Sequence, residues 1–286
     1  MEKPMSFKKL LACTDNSADS RAAVAAALEL ARLTGGKVYL LQTVTWVTGY
    51  ELQSPDMPLP WPQMDLEMLN RLKTSVQASL AETWGPAAQQ AGVELEIRVP
   101  ESAVPHAGIL ETAQEIRPDL IVMGRHGRTG LARLLMGSVT ARIIGHSPFP
   151  VLVAPPDTLL SFQRIMVGSD GSPDSAAAWN AALDLSKQFG AYLLAVSVAR
   201  SEPEESRAKE IVREMADAAQ KQGRVAETMV LTGPPYEALA KAARYKEASL
   251  IILGSHGRTG LSRLLMGSVT ERVIGLAPCP VLVVKR

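Results

Sequence analysis

Glycine and serine residues recur at fixed spacing in two nearly identical segments of the chain. Residues 124–145 differ from residues 254–275 at only four positions, and each segment carries the spacing G-x2-G-x9-G-S. Glycine allows the backbone to approach a ligand closely, and a helix start presents unpaired N–H groups and the positive end of the helix dipole. The spacing therefore predicts an anion-binding loop, with phosphate as the expected anion. The residues concerned are Gly124, Gly127, Gly137 and Ser138 in the first segment and Gly254, Gly257, Gly267 and Ser268 in the second.

Serine and arginine side chains would complete such a loop. Ser138 is expected to be the N-cap of a helix that continues through Val139 and Thr140. Arg125 has Ser255 as its counterpart, so this arginine is not required by both copies if they bind alike. The structural alternative is that the glycines only turn the chain and the serines only cap helices. The equivalent helix start in the second copy is Ser268, Val269 and Thr270, and the other nearby arginines are Arg128, Arg133, Arg258 and Arg263.

Two familiar nucleotide-binding motifs are absent from the sequence. No lysine precedes Ser138 or Ser268, so the P-loop lysine that contacts the β- and γ-phosphates is missing. No G-x-G-x-x-G follows the first predicted strand, which disfavours a dinucleotide-binding fold. His126 and His256 lie within the glycine loops, but no second histidine or cysteine stands at ligand spacing, so we expect no metal site.

Composition sets limits on the class of protein. The 286 residues are 47% hydrophobic and 21% charged, with a net charge of +1, as in globular proteins without a global field for nucleic acid or membrane. No apolar run approaches the roughly 18 residues of a spanning helix, and we expect a cytoplasmic protein that binds neither nucleic acid nor membrane. Cys13 and Cys279 lie in or beside predicted strands and are expected to be buried.

The second half of the sequence repeats the first. Residues 11–20 correspond to residues 166–175 with a shift of 155, and residues 147–153 correspond to residues 277–283 with a shift of 130. The shift falls because the first copy carries additional residues at about 46–70. The period is as long as a domain, which predicts domains at residues 1–156 and 157–286. Within the additional segment, prolines between residues 55 and 62 predict an ordered surface loop. A lid over the first ligand site and a patch that binds a partner are the alternatives.

Short apolar runs alternate with helical patterns in both halves, which predicts an α/β fold with a doubly wound parallel sheet in each domain. Ligands of such sheets bind beyond the carboxyl ends of the strands. In the first half, the loops at that edge are Thr14-Asp15, the end of the second strand at Val44, and residues 124–137. Their counterparts are Ser169-Asp170, Val198 and residues 254–267. The Pro-x-Pro before each last strand predicts that a sheet edge ends or is exposed there.

These motifs and their strand order resemble the universal stress protein family, in its ATP-binding form. The resemblance covers nearly the whole chain except residues 46–70, and it implies two domains of the adenine nucleotide alpha hydrolase-like type. Asp15 and Asp170 would face adenine and ribose, and the backbone near Val44 and Val198 would line adenine. The phosphates would be held by Gly127, Gly137, Ser138 and Val139 in the first half and by Gly257, Gly267, Ser268 and Val269 in the second. The same loops also contain Gly124, His126 and Thr140, and Gly254, His256 and Thr270. Thr14 and Ser169 would lie beside the two aspartates.

The two halves differ in one element of the family pattern. The second half keeps Gly-x-Pro, expected near the ribose, as Gly233-Pro-Pro, whereas the first half has Ala103-Val-Pro. The ribose contact of the second half is therefore the better supported. The resemblance also implies that the last strands of the halves pair about a pseudo-twofold axis. The chain would then be an internal dimer, with a homodimer of the whole chain as a further expectation.

The resemblance implies a regulatory protein of the stress response that binds ATP, AMP or ADP in one or both halves, with or without Mg²⁺, and acts through a protein partner. Two alternatives remain open at this level. One is a slow ATPase or autophosphorylating enzyme, for which no general base near the γ-phosphate is evident. The other is a cyclic AMP binder or a scaffold with one vestigial site.

Overall fold

The computed structural model of the chain describes residues 5–45, 66–127, 136–258 and 266–286. Two sequence-based predictions lie outside these ranges. One is the surface loop, lid or partner patch at residues 46–62. The other is the contribution of Arg128, Arg133 and Arg263 to the anion-binding loops.

The first half alternates strands and helices as predicted. Helix α1 begins at Ala18, because the Ser17 side chain accepts a hydrogen bond from the Ser20 N–H and acts as the N-cap. The elements are β1 (Lys9–Cys13), α1 (Ala18–Thr34), β2 (Lys37–Leu41), α2 (Leu66–Ala91), β3 (Glu94–Arg98), α3 (Pro105–Ile116), β4 (Leu120–Gly124), α4 (Ser138–His146) and β5 (Val151–Ala154).

The second half repeats this order. Its second strand is longer than that of the first half, and a short 3₁₀ helix at Glu202–Glu204 follows it. The elements are β6 (Arg164–Gly168), α5 (Pro173–Phe189), β7 (Tyr192–Ala199), α6 (Glu205–Lys221), β8 (Ala226–Thr232), α7 (Pro235–Tyr245), β9 (Leu250–Gly254), α8 (Ser268–Leu276) and β10 (Val281–Val284).

The strands of both halves form one continuous sheet. Its order is β3-β2-β1-β4-β5-β10-β9-β6-β7-β8, with parallel pairing inside each half. Strands β5 and β10 pair antiparallel, with Leu152 opposite Leu282, which is where the pseudo-twofold axis passes. The predicted α/β class, the doubly wound sheets and the pairing of the last strands are confirmed.

The prolines before β5 and β10 do not mark a free sheet edge, which corrects the sequence-based expectation. These strands lie at the centre of the sheet, each between two others. Pro150 and Pro280 precede the strands, so the missing proline N–H is not needed inside the ladder. Their carbonyls still accept hydrogen bonds from the Ile121 and Ile251 N–H groups, at 3.0 Å each.

Each face of the sheet is buried by helices. Leu10 and Ala12 pack in the layer formed with α1, α2, α5 and α6, whereas Leu11 and Cys13 pack in the layer formed with α3, α4, α7 and α8. Burial on both faces explains why the strand sequences are apolar at successive positions rather than at alternate ones. The rigid sheet therefore places its carboxyl ends, and the loops that follow them, in fixed positions.

Candidate functional site

A cavity lies at the carboxyl edge of the sheet in each half, between the first and fourth strands. There the strand order reverses, which is the position where doubly wound sheets bind ligands. The first cavity has a volume of about 320 Å³ and the second of about 390 Å³. Most of the predicted site residues line them: Thr14, Asp15, Gly124, His126, Gly127, Gly137, Ser138, Val139 and Thr140 in the first, and Ser169, Asp170, Val198, Gly254, His256, Gly257, Gly267, Ser268, Val269 and Thr270 in the second.

Each cavity contains a helix start whose N-cap is glycine. The N-cap of α4 is Gly137, one residue before the predicted Ser138, and the N-cap of α8 is Gly267 rather than Ser268. The first helical hydrogen bond in α4 runs from the Ala141 N–H to the Gly137 carbonyl at 2.9 Å. A glycine has no side chain to occupy the three N–H groups that precede this bond. With glycine as the N-cap, these N–H groups and the positive end of the helix dipole face the cavity.

Close packing explains the other glycines of the loop. A Cβ on Gly124 would stand 2.6 Å from the Asp19 carbonyl carbon, so the end of β4 can lie against the start of α1 only without a side chain. A Cβ on Gly127 would stand 2.8 Å from Asp15 Oδ2. Gly254 and Gly257 have the same relations to Asp174 and Asp170. These glycines bring the loop after the fourth strand against the loop after the first.

In the second half, the aspartate after the first strand of the domain bonds to both loops beside it. Asp170 accepts hydrogen bonds from the Ser172 N–H through Oδ1 at 3.0 Å and from the Arg258 N–H through Oδ2 at 2.9 Å. Burial raises the pKa of this carboxyl, but the Ser172 and Arg258 hydrogen bonds and the Arg258 charge outweigh burial and hold the pKa below its usual value. Asp15 accepts the equivalent bond from the Ser17 N–H at 3.0 Å. Asp170 therefore joins the two cavity loops of the second half as a carboxylate, and Asp15 makes the Ser17 part of the same arrangement.

A second aspartate in each half fixes the histidine of the glycine loop, and sequence reasoning missed it. Asp19 Oδ2 accepts the His126 backbone N–H at 3.0 Å and lies 3.1 Å from His126 Nδ1. Asp174 Oδ2 accepts the His256 N–H at 3.1 Å and the Ser255 hydroxyl at 2.8 Å. The available signal was the repeat itself, because Asp19-Ser20 corresponds to Asp174-Ser175 at the shift of 155. These aspartates set the position of the loop backbone beside the helix start.

In the first half, the residue that lines the cavity after the second strand differs by one position from the prediction. The Val44 N–H bonds to the Pro100 carbonyl at 2.9 Å and its carbonyl accepts the Ser102 N–H at 3.1 Å, so both groups point toward the segment that follows β3. Val44 does not line the cavity, whereas Thr43 does. Residues alternate in direction along an extended strand, and Thr43 is the counterpart of Val198 at the shift of 155. Thr43 therefore occupies the place that was assigned to Val44.

Several predicted hydroxyl groups are engaged within the protein. Thr140 Oγ1 donates to the Gly124 carbonyl at 3.0 Å, and Thr270 Oγ1 donates to the Gly254 carbonyl at 2.8 Å. Thr14 Oγ1 lies 3.1 Å from Ser20 Oγ. These side chains hold the strand ends against the helices. The Thr14 N–H bonds to the Leu41 carbonyl at 2.8 Å, so the backbone N–H groups of Thr140 and Thr270 are the parts that can meet a ligand.

Two further predicted residues lie away from the cavities. Gly233 has a φ of +109°, which favours glycine, and it stands just before the Pro235 that lines the second cavity, but it does not line the cavity itself. Arg125 turns to the other half of the chain: its Nη1 donates to the Gly275 carbonyl at 2.6 Å. The expectation that Arg125 adds charge to the first anion site is therefore corrected.

The mouths of the two cavities carry different side chains. In the second half, Arg200 and Glu204 line the cavity, and the Glu204 carboxylate accepts the Arg200 N–H at 3.0 Å. In the first half, Thr45 is the counterpart of Arg200 at the shift of 155, and it lines the first cavity together with Gln42 and Thr43. Periodic pattern alone did not single out these residues, because only the turn of the chain after β2 and β7 brings them over the cavity.

The cysteines are buried as predicted, and burial raises the pKa of both the Cys13 and the Cys279 thiols to about 12. Within the described ranges, no group of three or more His, Cys, Asp or Glu side chains is arranged to hold a metal ion. None of the helices described is both long and apolar enough to span a bilayer.

The fold defines a tandem α/β protein with one cavity at the same place in each half. A model of the universal stress protein family matches residues 6–155 and again residues 161–285. Universal stress protein Rv2005c of Mycobacterium tuberculosis is 28% identical over 321 aligned residues, which cover 100% of this chain and 100% of that protein. Universal stress protein MJ0531 of Methanocaldococcus jannaschii is 34% identical over 141 residues, covering 44% of this chain and 83% of that protein. The chain therefore belongs to the universal stress protein family.

The fold agrees with that of a solved relative. The crystal structure of a universal stress protein from Archaeoglobus fulgidus superposes with a TM-score of 0.77 at 22% identity, covering 98% of both chains. The repeat seen in the sequence is thus a tandem pair of universal stress protein domains.

Proposed function

We propose that the protein binds an adenine nucleotide in each of its two cavities. The observation that carries the proposal is the glycine-capped helix start within each cavity, at the reversal point of the strand order. The N–H groups of residues 138–140 and 268–270 would hold the phosphates, as anions bind at helix starts. A cavity of 320–390 Å³ matches the size of sites for small ligands.

The rest of the nucleotide would extend along the carboxyl edge of the sheet. Asp15 and Asp170 would lie beside the sugar, and the backbone of Thr43 and Val198 would lie beside the base. The second cavity has apolar side chains at the base end, namely Val196 and Val198, which favours an uncharged planar base. Asp15 and Asp170 already accept backbone N–H groups of the cavity loops, which supports a role in holding the ligand rather than in turnover.

A ligand-extraction experiment tests this function. Purified protein is denatured, and the released small molecules are identified by mass spectrometry. Calorimetric titrations with ATP, AMP and cyclic AMP, each with Mg²⁺ and with a chelator, then separate the adenylates and the contribution of the metal. We expect two equivalents of one adenylate to bind. If none of the three binds to protein freed of ligand, the proposal is wrong.

The wider functional assignments are also proposals. They are regulation of a stress response through a protein partner, a cytoplasmic location, self-association of the whole chain, and a domain division at residues 1–156 and 157–286. A steady-state assay of ATP hydrolysis distinguishes a nucleotide-binding regulator from an enzyme. Sustained turnover above the protein-free rate would replace the regulatory assignment with the enzymatic one.

A further inference from the structure

A cation from each half of the chain holds the end of a cavity helix in the other half. Arg125 donates to the Gly275 carbonyl at 2.6 Å and to the Ala277 carbonyl at 3.4 Å, at the C-terminal end of α8. Lys285 donates to the Gly145 and Ser147 carbonyls at 2.9 and 2.7 Å, at the C-terminal end of α4. The two links cross the interface in opposite directions.

Each helix held in this way also forms the anion site of its own half. Helices α4 and α8 have nine residues each, so their two ends are only about 13 Å apart. An anion at the N-terminus and a cation at the C-terminus both interact favourably with the helix dipole. A displacement of either short helix therefore moves both its N-terminal end, where the phosphate would bind, and its C-terminal end, where the cation binds.

Each cation is in turn connected to the cavity of its own half. Arg125 stands between Gly124 and His126, which both line the first cavity, and the charge of Asp19 opposes the lowering of the Arg125 pKa by burial. Lys285 follows Val284, whose carbonyl accepts the Ser255 N–H at 2.9 Å next to the cavity residue His256. Burial likewise lowers the pKa of Lys285, and the charge of Asp174 opposes it. Asp19 and Asp174 are the residues that hold the two cavity loops.

The two links come from positions that are not equivalent in the repeat. The counterpart of Arg125 is Ser255, and the counterpart of Lys285 is Pro155. Duplication of a single domain therefore does not account for the pair, because the same connection is made twice with different residues. This argues that the connection between the cavities has a role of its own.

We propose that Arg125 and Lys285 are positioning residues that couple the two cavities, so that nucleotide in one cavity raises the affinity of the other. The proposal rests on the proposed nucleotide-binding function. Nucleotide in the first cavity fixes the segment that carries Arg125, which fixes α8 and lowers the ordering cost of binding at its N-terminus. Lys285 gives the reverse route, and linkage requires the two effects to be equal. We expect the coupling to be about fivefold or more.

The test compares single-site and two-site binding by calorimetry with ATP as the probe. Gly267→Asp and Gly137→Asp each place a carboxylate over one helix start, and they give the intrinsic affinities of the first and second cavities. The product of these affinities is compared with the product of the two stepwise affinities of the parent protein. The ratio is the coupling factor, and it is measured again in Arg125→Gln, Lys285→Gln and the double variant. Arg32→Gln, which removes an exposed cation paired with Glu29, is the control.

The expected result is a coupling factor of at least about fivefold in the parent protein and in Arg32→Gln, and a factor near one in the double variant. The intrinsic affinities should stay within about twofold when Arg125→Gln or Lys285→Gln is added to the single-site variants. Loss of the coupling factor with unchanged intrinsic affinities is a result that loss of stability alone would not produce. Arg125→Lys should keep part of the coupling. Each single glutamine variant should have a coupling factor below that of the parent, so if one does not fold, the other still tests the coupling; an unchanged factor in the variant that folds would contradict the role of its link. A parent that binds two nucleotides independently overturns the coupling but not the function, whereas a parent that binds none overturns the proposed function.

Discussion

The glycine at each helix start gives the sharpest test of the anion site. Gly137 has a φ of −61°, which any residue can adopt, and a Cβ there would stand 3.3 Å from the Arg125 carbonyl oxygen. Gly137→Asp should therefore fit with a small local shift. The introduced carboxylate is a favoured N-cap that accepts the N–H groups of Val139 and Thr140. It would occupy and neutralise the groups that the phosphate needs.

The expected loss of affinity follows from these hydrogen bonds. A hydrogen bond to a charged group contributes about 1.5–3 kcal/mol, so losing two of them costs about 4 kcal/mol. Each 1.4 kcal/mol corresponds to a factor of ten, which predicts roughly a thousandfold weaker nucleotide binding in the first cavity. Aspartate and glycine differ by roughly a few tenths of a kcal/mol as N-caps, so the unfolding midpoint should stay close to that of the parent.

Calorimetry and thermal unfolding measure the two quantities separately. Gly137→Asp should bind one equivalent of nucleotide instead of two, and the matched Gly267→Asp should retain only the first site. Gly137→Ala is the control, because it adds the Cβ without an acceptor and should bind within a few-fold of the parent. Binding of two equivalents by Gly137→Asp with parental affinity would refute the reasoning. An equal loss in Gly137→Ala would show that volume, not the helix N–H groups, decides binding.

Three further predictions concern the framework of the site. The pKa of Asp170 is lowered in the folded protein, so the stability that it contributes is present above the unfolded pKa of about 3.9 and is lost as the pH falls through the folded pKa. Asp170→Asn should lower the free energy of unfolding by about 1–3 kcal/mol at pH 7, and its free energy of unfolding, measured by urea titration, should fall less than that of the parent between pH 5 and pH 3. Gly124→Ala should destabilise by about 1–3 kcal/mol because its Cβ meets backbone at 2.6 Å, whereas Gly85→Ala, with nothing within 4 Å, should not. Since burial raises the pKa of the Cys13 and Cys279 thiols to about 12, neither should react with a thiol reagent at pH 8 until the protein is unfolded, and rapid reaction of the native protein would contradict their burial.

Local pattern was sufficient for the elements of the fold. Apolar runs on strands buried at both faces, helical spacing between them and the repeated glycine loop predict two α/β units with a site at the carboxyl edge of each sheet. These features depend on which residues follow one another, and that information is complete in the sequence. The predicted helix caps differ from the structure at α4 and α8, where glycine rather than the following serine is the N-cap.

Positions that depend on the direction of a side chain or a peptide were less predictable. Thr43 and Val44 are adjacent, and either a polar or an apolar residue can follow a strand end, so residue type does not show which of the two faces the cavity. The hydrogen bonds of Val44 to Pro100 and Ser102 decide the question. Asp19 lies outside the glycine loop and acquires its role because Gly124 lets α1 approach β4. Arg125 looked like part of an anion site because it is basic and close in sequence to the glycines.

The sequence by itself determined the duplicated α/β domain, the glycine spacing and the end of the sheet at which a ligand would bind, because these follow from periodicity and from the order of the elements. Only the tertiary structure decided that Gly137 and Gly267 leave the helix starts open, that Asp19 and Asp174 hold the loops, and that Arg125 and Lys285 cross to the opposite half. These contacts join residues more than 80 positions apart, such as Asp19 with His126 and Lys285 with Gly145. Such contacts arise from the packing of the helices on the continuous sheet, and no local pattern encodes their direction.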